Sequence, residues 1–273
     1  MRADQLLVER GLAASRSQAV RLIAGGLRWF DGAAWRSVTR NRDDIPVDAK
    51  VELVDDAEAR YVSRGGLKLE GALVASGVDP TGRRCLDVGQ STGGFTDCLL
   101  QHGARQVVGV DVGQGQLHAR LRADDRVQAF EKVNARSLSA ADLLPAAIDE
   151  DDRKAPVEPF DLVVGDLSFI SSTLVLPAVV PFMASGGELL LLVKPQFELQ
   201  PGQVGKGGIV RDAALYAVVE RRLHEACGSL GLGVVAWFES PIAGGDGNRE
   251  FFIHAVRPAA GDQGESRGAS DQL

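Results

Sequence analysis

Residues Cys85–Phe95 read CLDVGQSTGGF, and this stretch decides the fold of the 273-residue chain. Its first residues form an apolar strand candidate, and its glycines, Gly89, Gly93 and Gly94, lead into a helix candidate. Glycines let the backbone turn tightly and approach a ligand closely. The spacing differs from the G-x-G-x-x-G pattern of dinucleotide-binding proteins. Asp87, just before the first glycine, would repel a pyrophosphate and would suit the positive amino-acid end of S-adenosylmethionine.

Outward from this stretch, strand candidates alternate with helix candidates. The strand candidates are Arg84–Val88, Gln106–Asp111, Phe160–Asp166, Glu188–Lys194, Val234–Glu239 and Glu250–Arg257. Helices are predicted between them, for example over Phe95–His102 and Ala213–Ser229. This alternation predicts an α/β fold in which a mostly parallel sheet is covered by helices on both faces.

The acid that ends the second strand supports a ligand site. Asp111 occupies the position from which the acid of a Rossmann fold accepts hydrogen bonds from ribose hydroxyls. A lone glycine-rich stretch could equally be a tight strand-to-helix turn with no ligand. Because Asp87 and Asp111 both come near the ends of strand candidates, we predict that a ligand binds at this edge of the sheet.

Two further strand ends carry residues suited to proton transfer. Asp166 and Lys194 end their strands, and open parallel sheets bind ligands at the carboxyl ends of strands. Glu250 begins the last strand candidate and reaches the same edge if that strand runs antiparallel. Lys194 follows the apolar run Leu189–Val193, where burial and a second cation would favour its neutral form. A neutral lysine could deprotonate an alcohol, whereas the alternative is a lysine whose charged group simply reaches solvent.

The first residues of the chain have a different pattern. A short helix is predicted over Asp4–Arg10, and a second helix is predicted to begin at Ser15, whose side chain would cap it. Asp31-Gly32 is a strong hairpin turn signal between two short strands, and Lys50–Val54 is a third strand candidate. Together these elements predict a compact α+β module.

Charge is concentrated in this module. The chain as a whole carries a net charge of −7, but residues 1–42 hold eight arginines and three acids, a net charge of +5. Arginine suits planar contact with phosphate and stacking on bases, although a solvated charged face is the alternative interpretation. The arginines predicted to bind RNA are Arg2, Arg10, Arg16, Arg21, Arg28 and Arg36.

Composition and short segments exclude several classes of protein. Three cysteines without metal-ligand spacing predict buried thiols in a reducing compartment. The longest apolar run, Leu189–Val193, is too short for a membrane span, and the N-terminal residues lack the apolar segment of a secretory signal. We therefore expect a cytoplasmic protein that binds neither a membrane nor a metal. An exposed acidic loop over Asp149–Pro159 and a disordered tail over residues 258–273 are also predicted.

Several segments together resemble one known family. They are Asp4–Gly11, Ser63–Leu69, Asp87–Phe95, Asp166–Ser171 and Val193–Glu198. Over about residues 1–257 the chain resembles the TlyA-type ribosomal RNA 2′-O-methyltransferases, also called the haemolysin A family. The resemblance implies an alpha-L (S-four-like) RNA-binding domain over residues 1–59 and an FtsJ-like methyltransferase domain over residues 60–257. The second domain is expected to be Rossmann-like, with a mostly parallel seven-stranded sheet and an antiparallel last strand.

The same resemblance assigns roles to residues. It implies a catalytic tetrad of Lys68, Asp166, Lys194 and Glu250, in which Lys194 activates a ribose 2′-hydroxyl and Asp166 orients it. The cofactor is expected to be S-adenosyl-L-methionine. The residues expected to bind it are Asp87, Gly89, Ser91, Gly93, Gly94, Phe95, Asp111, Asn134 and Asp166.

The expected substrate is cytidine ribose in ribosomal RNA, of the 16S type, the 23S type or both, and the expected partners are ribosomal RNA and ribosomal subunits. Tyr61 stands in the linker where one type of family member has tryptophan, so the resemblance leaves the effect of this linker on cofactor affinity open. Three alternatives differ in class: a haemolysin-like membrane-active protein, a non-catalytic RNA-binding factor for ribosome assembly, and a dinucleotide oxidoreductase. The oligomeric state is not set by these patterns.

Overall fold

The computed structural model describes residues 1–13, 15–54, 60–144, 156–242, 244 and 247–259. Contacts between Cα atoms divide the chain into two units, Met1–Leu67 and Lys68–Leu273. The domain boundary expected after residue 59 stays a prediction. Most of the predicted acidic loop, residues 149–155, and most of the predicted tail, residues 260–273, lie outside the described residues.

The N-terminal unit combines two helices with a three-stranded sheet. Its elements are α1 (Ala3–Glu9), α2 (Arg16–Gly26), β1 (Leu27–Phe30), β2 (Trp35–Val38) and β3 (Val51–Leu53). The sheet is antiparallel in the order β2-β1-β3. The predicted helix cap is confirmed, because the Ser15 hydroxyl accepts a hydrogen bond of 3.2 Å from the backbone N–H of Gln18. The predicted hairpin is also confirmed, because Phe30 pairs with Trp35 across the turn. The helices and one face of the sheet enclose a small apolar core that includes Leu7, Leu22 and Leu27.

The second unit is built on one seven-stranded sheet. Its strands are β4 (Arg84–Val88), β5 (Gln106–Asp111), β6 (Val127–Glu131), β7 (Phe160–Asp166), β8 (Met183–Val193), β9 (Gly233–Glu239) and β10 (Phe251–Val256). Its α-helices are α3 (Gly65–Ser76, which contains the boundary between the units), α4 (Gly94–Gln101), α5 (Ala119–Arg122), α6 (Leu176–Val179), α7 (Pro195–Glu198) and α8 (Ala214–Ser229). The strand order is β6-β5-β4-β7-β8-β10-β9. β10 runs antiparallel to both of its neighbours, whereas the pairs from β6 to β8 are parallel. The predicted mostly parallel sheet with an antiparallel last strand is therefore confirmed.

Two strands differ from the sequence prediction by more than one residue at an end. β6, Val127–Glu131, was not among the strand candidates, and four of its five residues are only partly buried. Because it lies at the edge of the sheet, it lacks the continuous apolar run that marks a central strand. β8 begins at Met183 rather than at Glu188, since Met183 still pairs with Phe160 before the ladder shifts its register.

The central strands form the core of this unit. All five residues of β4 are buried, and the apolar cluster around them includes Leu86, Val108, Val163 and Leu191. Burial on both faces is what such near-continuous apolar strands predict. Among the described residues, no helix has both the length and the apolar character needed to cross a membrane.

Candidate active site

The glycine-rich turn after β4 follows a path that side chains would obstruct. Gly89 has φ +84°, and a Cβ atom added there would lie 2.9 Å from the backbone carbonyl oxygen of Asp166. Gly93 has φ +94° and caps the N-terminus of α4. Both positions favour glycine because their backbone is left-handed. Gly89 has a second reason, which is its close approach to the end of β7.

A cavity of about 530 Å³ opens at the carboxyl ends of β4, β5, β6 and β7. Five of the residues expected to bind the cofactor line it: Gly89, Ser91, Asp111, Asn134 and Asp166. The other four, Asp87, Gly93, Gly94 and Phe95, are not among its lining residues. Residues that sequence reasoning missed also line it, among them Val112, Gln116, Val133, Arg136, Ser168 and Phe169. Most of these follow within a few residues of a strand end, so their position along the chain was the signal that could have found them.

Asp111 joins two turns at the floor of this cavity. Its carboxylate accepts hydrogen bonds from the backbone N–H groups of Ser91, at 2.7 Å, and Gly113, at 2.6 Å. The Ser91 hydroxyl also donates to the side-chain carbonyl of Gln116 at 3.1 Å. A carboxylate held in this way is preorganised and remains partly exposed to the cavity.

Asp87 faces the protein interior. Only 1% of its surface is exposed, and its carboxylate accepts a hydrogen bond of 2.7 Å from the hydroxyl of Thr96. The Thr96 hydroxyl in turn accepts one of 2.9 Å from the side-chain amide of Gln90. Burial raises the pKa of Asp87 to about 7, and the hydrogen bond from Thr96 opposes that rise. The described contacts of Asp87 thus hold the turn to α4, while the expected contact with a cofactor stays a prediction.

Two ion pairs bring the expected tetrad together. Lys68 Nζ lies 2.5 Å from a carboxylate oxygen of Glu250, and both residues are buried. Lys194 Nζ lies 2.5 Å from Asp166 Oδ1. Lys194 also donates a hydrogen bond of 2.7 Å to the hydroxyl of Ser168.

Strand register explains why these pairs are neighbours. Asp166 pairs with Leu192 across β7 and β8, and Val193 pairs with Phe251 across β8 and β10. Glu250, one residue before β10, therefore lies beside Lys194, one residue after β8. Burial of an ionisable side chain without a partner is costly, and here each lysine of the four residues has an acid within contact distance.

The six arginines expected to bind RNA all have partners within the N-terminal unit. Arg2 and Arg16 pair with the buried carboxylate of Asp4. The remaining contacts join Arg28 to Glu52, Arg36 to Asp31, Arg10 to the carbonyls of Val47 and Ala49, and Arg21 to the carbonyl of Ser17. The side chains of Arg16 and Arg36 are still 58% and 62% exposed. Both guanidinium groups therefore keep more than half of their side-chain surface in solvent while paired with an acid.

Comparisons with known proteins agree on one family. A family model described as FtsJ-like methyltransferase matches residues 61–257. The chain is 46% identical over 257 residues to the 16S/23S rRNA (cytidine-2′-O)-methyltransferase TlyA of Mycobacterium tuberculosis, covering 92% of this chain and 88% of that relative. It is 37% identical over 262 residues to Hemolysin A of Brachyspira hyodysenteriae, covering 94% of this chain and 100% of that relative.

Among solved structures, a candidate hemolysin from Streptococcus thermophilus is 36% identical and superposes with a TM-score of 0.68. The match covers 94% of this chain and 88% of that chain. Since the family model covers most of the chain and these relatives align over nearly their whole length, this chain is a member of the FtsJ-like methyltransferase family, in the group that contains TlyA and Hemolysin A.

Proposed function

We propose that this protein transfers a methyl group from S-adenosylmethionine to the 2′-hydroxyl of a cytidine ribose in ribosomal RNA. The observation that carries the proposal is the contact of Lys194 Nζ with Asp166 Oδ1 at 2.5 Å. Asp166 also lines the cavity. The candidate base, Lys194, is therefore in contact with a residue of the candidate cofactor site. The relative from Mycobacterium tuberculosis, named as an rRNA (cytidine-2′-O)-methyltransferase, supports the same reaction.

The cavity fits the cofactor by size and by chemistry. Its volume of about 530 Å³ lies in the range of small-molecule sites. Asp111 offers a carboxylate for ribose hydroxyls, Val112 and Val133 offer apolar surface, and the absence of a Cβ at Gly89 leaves room beside Asp166. When bound, S-adenosylmethionine supplies a methyl group already activated by a positive sulfonium.

The protein's own task is to prepare the acceptor oxygen. In the proposed reaction the 2′-hydroxyl approaches Lys194 and Asp166 from the side of the cavity, and Lys194 in its neutral form accepts the proton as the oxygen attacks the methyl carbon. The new carbon–oxygen bond forms as the carbon–sulfur bond breaks, so the proton ends on Lys194 and the sulfur leaves as a neutral thioether. Lys68 and Glu250 complete the charge balance beside Lys194. General bases of this kind contribute about 10²–10⁴-fold in rate.

The N-terminal unit supplies the proposed RNA contact. Arg16 and Arg36 keep most of their side-chain surface exposed, and arginine binds phosphate through paired N–H donors. Electrostatic attraction to phosphate weakens as salt rises. RNA binding by the full chain should therefore lose affinity with salt, and the double variant Arg16→Ala with Arg36→Ala should reduce the steepness of that loss.

The deciding experiment measures methylation of ribosomal RNA by the full-length protein. A methylated 2′-oxygen blocks alkaline cleavage at that nucleotide, so the modified position can be mapped directly. Wild type should give an alkali-resistant cytidine, and Lys194→Ala should lower the rate by about 10²-fold or more. Lys194→Arg is the matched control, because arginine keeps the charge beside Asp166 but stays protonated; it too should be inactive while cofactor binding by calorimetry is retained. Methylation of Lys194→Arg at the wild-type rate would refute the role of Lys194, and methylation of a base atom would refute the proposed reaction.

A further inference from the structure

Ser168 occupies a defined position between the candidate base and the cavity. Its hydroxyl accepts a hydrogen bond of 2.7 Å from Lys194 Nζ, and the residue is exposed and lines the cavity. Lys194 itself is only 12% exposed at its side chain. We propose that Ser168 is a positioning residue that restricts rotation of the Lys194 amine, so that its lone pair can face the ribose 2′-hydroxyl. This inference rests on the proposed function.

The geometry of an amine explains how a serine can do this. A neutral lysine carries two N–H bonds and one lone pair, arranged roughly as a tetrahedron around Nζ with the side chain at the fourth corner. Ser168 Oγ accepts a hydrogen bond from one of these N–H bonds at 2.7 Å. Asp166 Oδ1 lies 2.5 Å from Nζ as the partner of an ion pair, and among the described residues it accepts no hydrogen bond. With one N–H bond held by Ser168, the lone pair is restricted to the two remaining corners of the tetrahedron. Without Ser168, the amine can rotate about its last bond, and the lone pair is no longer held in place.

Ser168 is held in this position by contacts between two loops. The loop after β7 and the short helix after Lys194 are joined by Glu198, which is only 3% exposed. Its carboxylate accepts hydrogen bonds from the hydroxyl of Ser171, at 2.5 Å, and from the backbone N–H of Ser172, at 2.7 Å.

An aromatic contact adds to this join between the loops. The ring centroids of Phe169 and Phe197 lie 5.0 Å apart. Phe169 is 90% exposed, but because it directly follows Ser168 and Phe197 precedes Glu198, this contact links the two loops at a second point.

The test compares single-turnover methylation rates of the full-length enzyme over a range of ribosomal RNA concentrations, with S-adenosylmethionine at saturation. Ser168→Ala should lower the maximal rate about tenfold through misorientation of the base. The RNA concentration that gives half of this rate, and the cofactor affinity measured by calorimetry, should each stay within about twofold of wild type. Ser168→Thr keeps the hydroxyl and should restore most of the rate. Ser229→Ala, in the last turn of α8, is the control for loss of a serine hydroxyl.

Each other result counts against the inference. A Ser168→Ala enzyme with the wild-type rate would overturn it. The same loss of rate in Ser168→Thr, or a loss of rate accompanied by an equal loss of cofactor affinity, would show a merely structural role and would also overturn it. If the wild-type enzyme forms no alkali-resistant ribose, the proposed function fails and this inference fails with it, a result distinct from the other two.

Discussion

Replacing Asp87 by asparagine should stabilise the protein more at high pH than at low pH. Burial raises the pKa of Asp87 to about 7 from 3.8, with the charges of Asp166 and Asp111 adding to the rise and the hydrogen bond from Thr96 opposing it. Because the folded pKa exceeds the unfolded one, the folded state binds the proton more tightly. Stability is therefore highest below the unfolded pKa and is lost as pH rises through the folded pKa.

The magnitude follows from the size of the shift. About three pKa units correspond to a loss of about 4 kcal/mol by pH 8, of which about half has already occurred at pH 5.5. The side chain introduced by Asp87→Asn does not titrate and can still accept the hydrogen bond from Thr96. The difference in unfolding free energy between Asp87→Asn and wild type should therefore grow by about 2 kcal/mol from pH 5.5 to pH 8.

Urea unfolding of the full chain, followed by far-ultraviolet circular dichroism at the two pH values, measures this difference. Asp79→Asn is the matched control, because Asp79 is exposed and its pKa is lowered by hydrogen bonds from Thr81. Asp79 is ionised in both states at both pH values, so its substitution should have the same effect at each. If the difference between Asp87→Asn and wild type is the same at pH 5.5 and pH 8, the reasoning from burial is refuted.

Two further predictions concern the site. Lys68→Met leaves the buried carboxylate of Glu250 without its cation and should lower the free energy of unfolding by about 3–5 kcal/mol. In urea unfolding, the double variant Lys68→Met with Glu250→Leu should recover much of this loss. A double variant as unstable as Lys68→Met would contradict the pairing. Gly89→Ala forces a side chain into φ +84° with its Cβ 2.9 Å from the carbonyl oxygen of Asp166, so it should weaken cofactor binding in calorimetry and destabilise the fold by about 1–3 kcal/mol. Gly82→Ala, at φ +70° with nothing within 4 Å of the added Cβ, is the control, and equal effects of the two substitutions would show that backbone conformation alone is responsible.

The central strands could be predicted closely because they are buried on both faces. Arg84–Val88, Gln106–Asp111 and Phe160–Asp166 have the bounds that the apolar runs predicted. In each of these strands the apolar residues lie beside charged residues, an amide or glycine. The buried residues therefore coincide with the apolar pattern of the sequence. Val127–Glu131 was missed because an edge strand exposes one side and its residues need not be apolar.

The candidate site could be predicted only as a set of strand ends. Carboxyl ends of parallel strands meet at one edge, which brings Asp111, Asp166 and Lys194 into one region from sequence alone. Which carboxylate faces a ligand depends on packing: Asp111 and Asp166 line the cavity, whereas Asp87 turns inward to Thr96. Ser168 had only one signal, its position two residues after the end of β7, and a serine in such a loop is common.

The sequence by itself determined the α/β fold of the second unit, the glycine turn that opens at the cavity, and the edge of the sheet where the polar residues gather. These features follow from local patterns: apolar runs that must be buried, and glycines where only a left-handed backbone fits. Only the tertiary structure decided which residues the buried charged side chains contact. Lys68 and Glu250 are 182 positions apart and meet at 2.5 Å, and Glu198 joins two loops that no local pattern connects. Contacts of this kind depend on where the sheet and helices pack, because a side chain's partner is set by its position in space rather than by its neighbours along the chain.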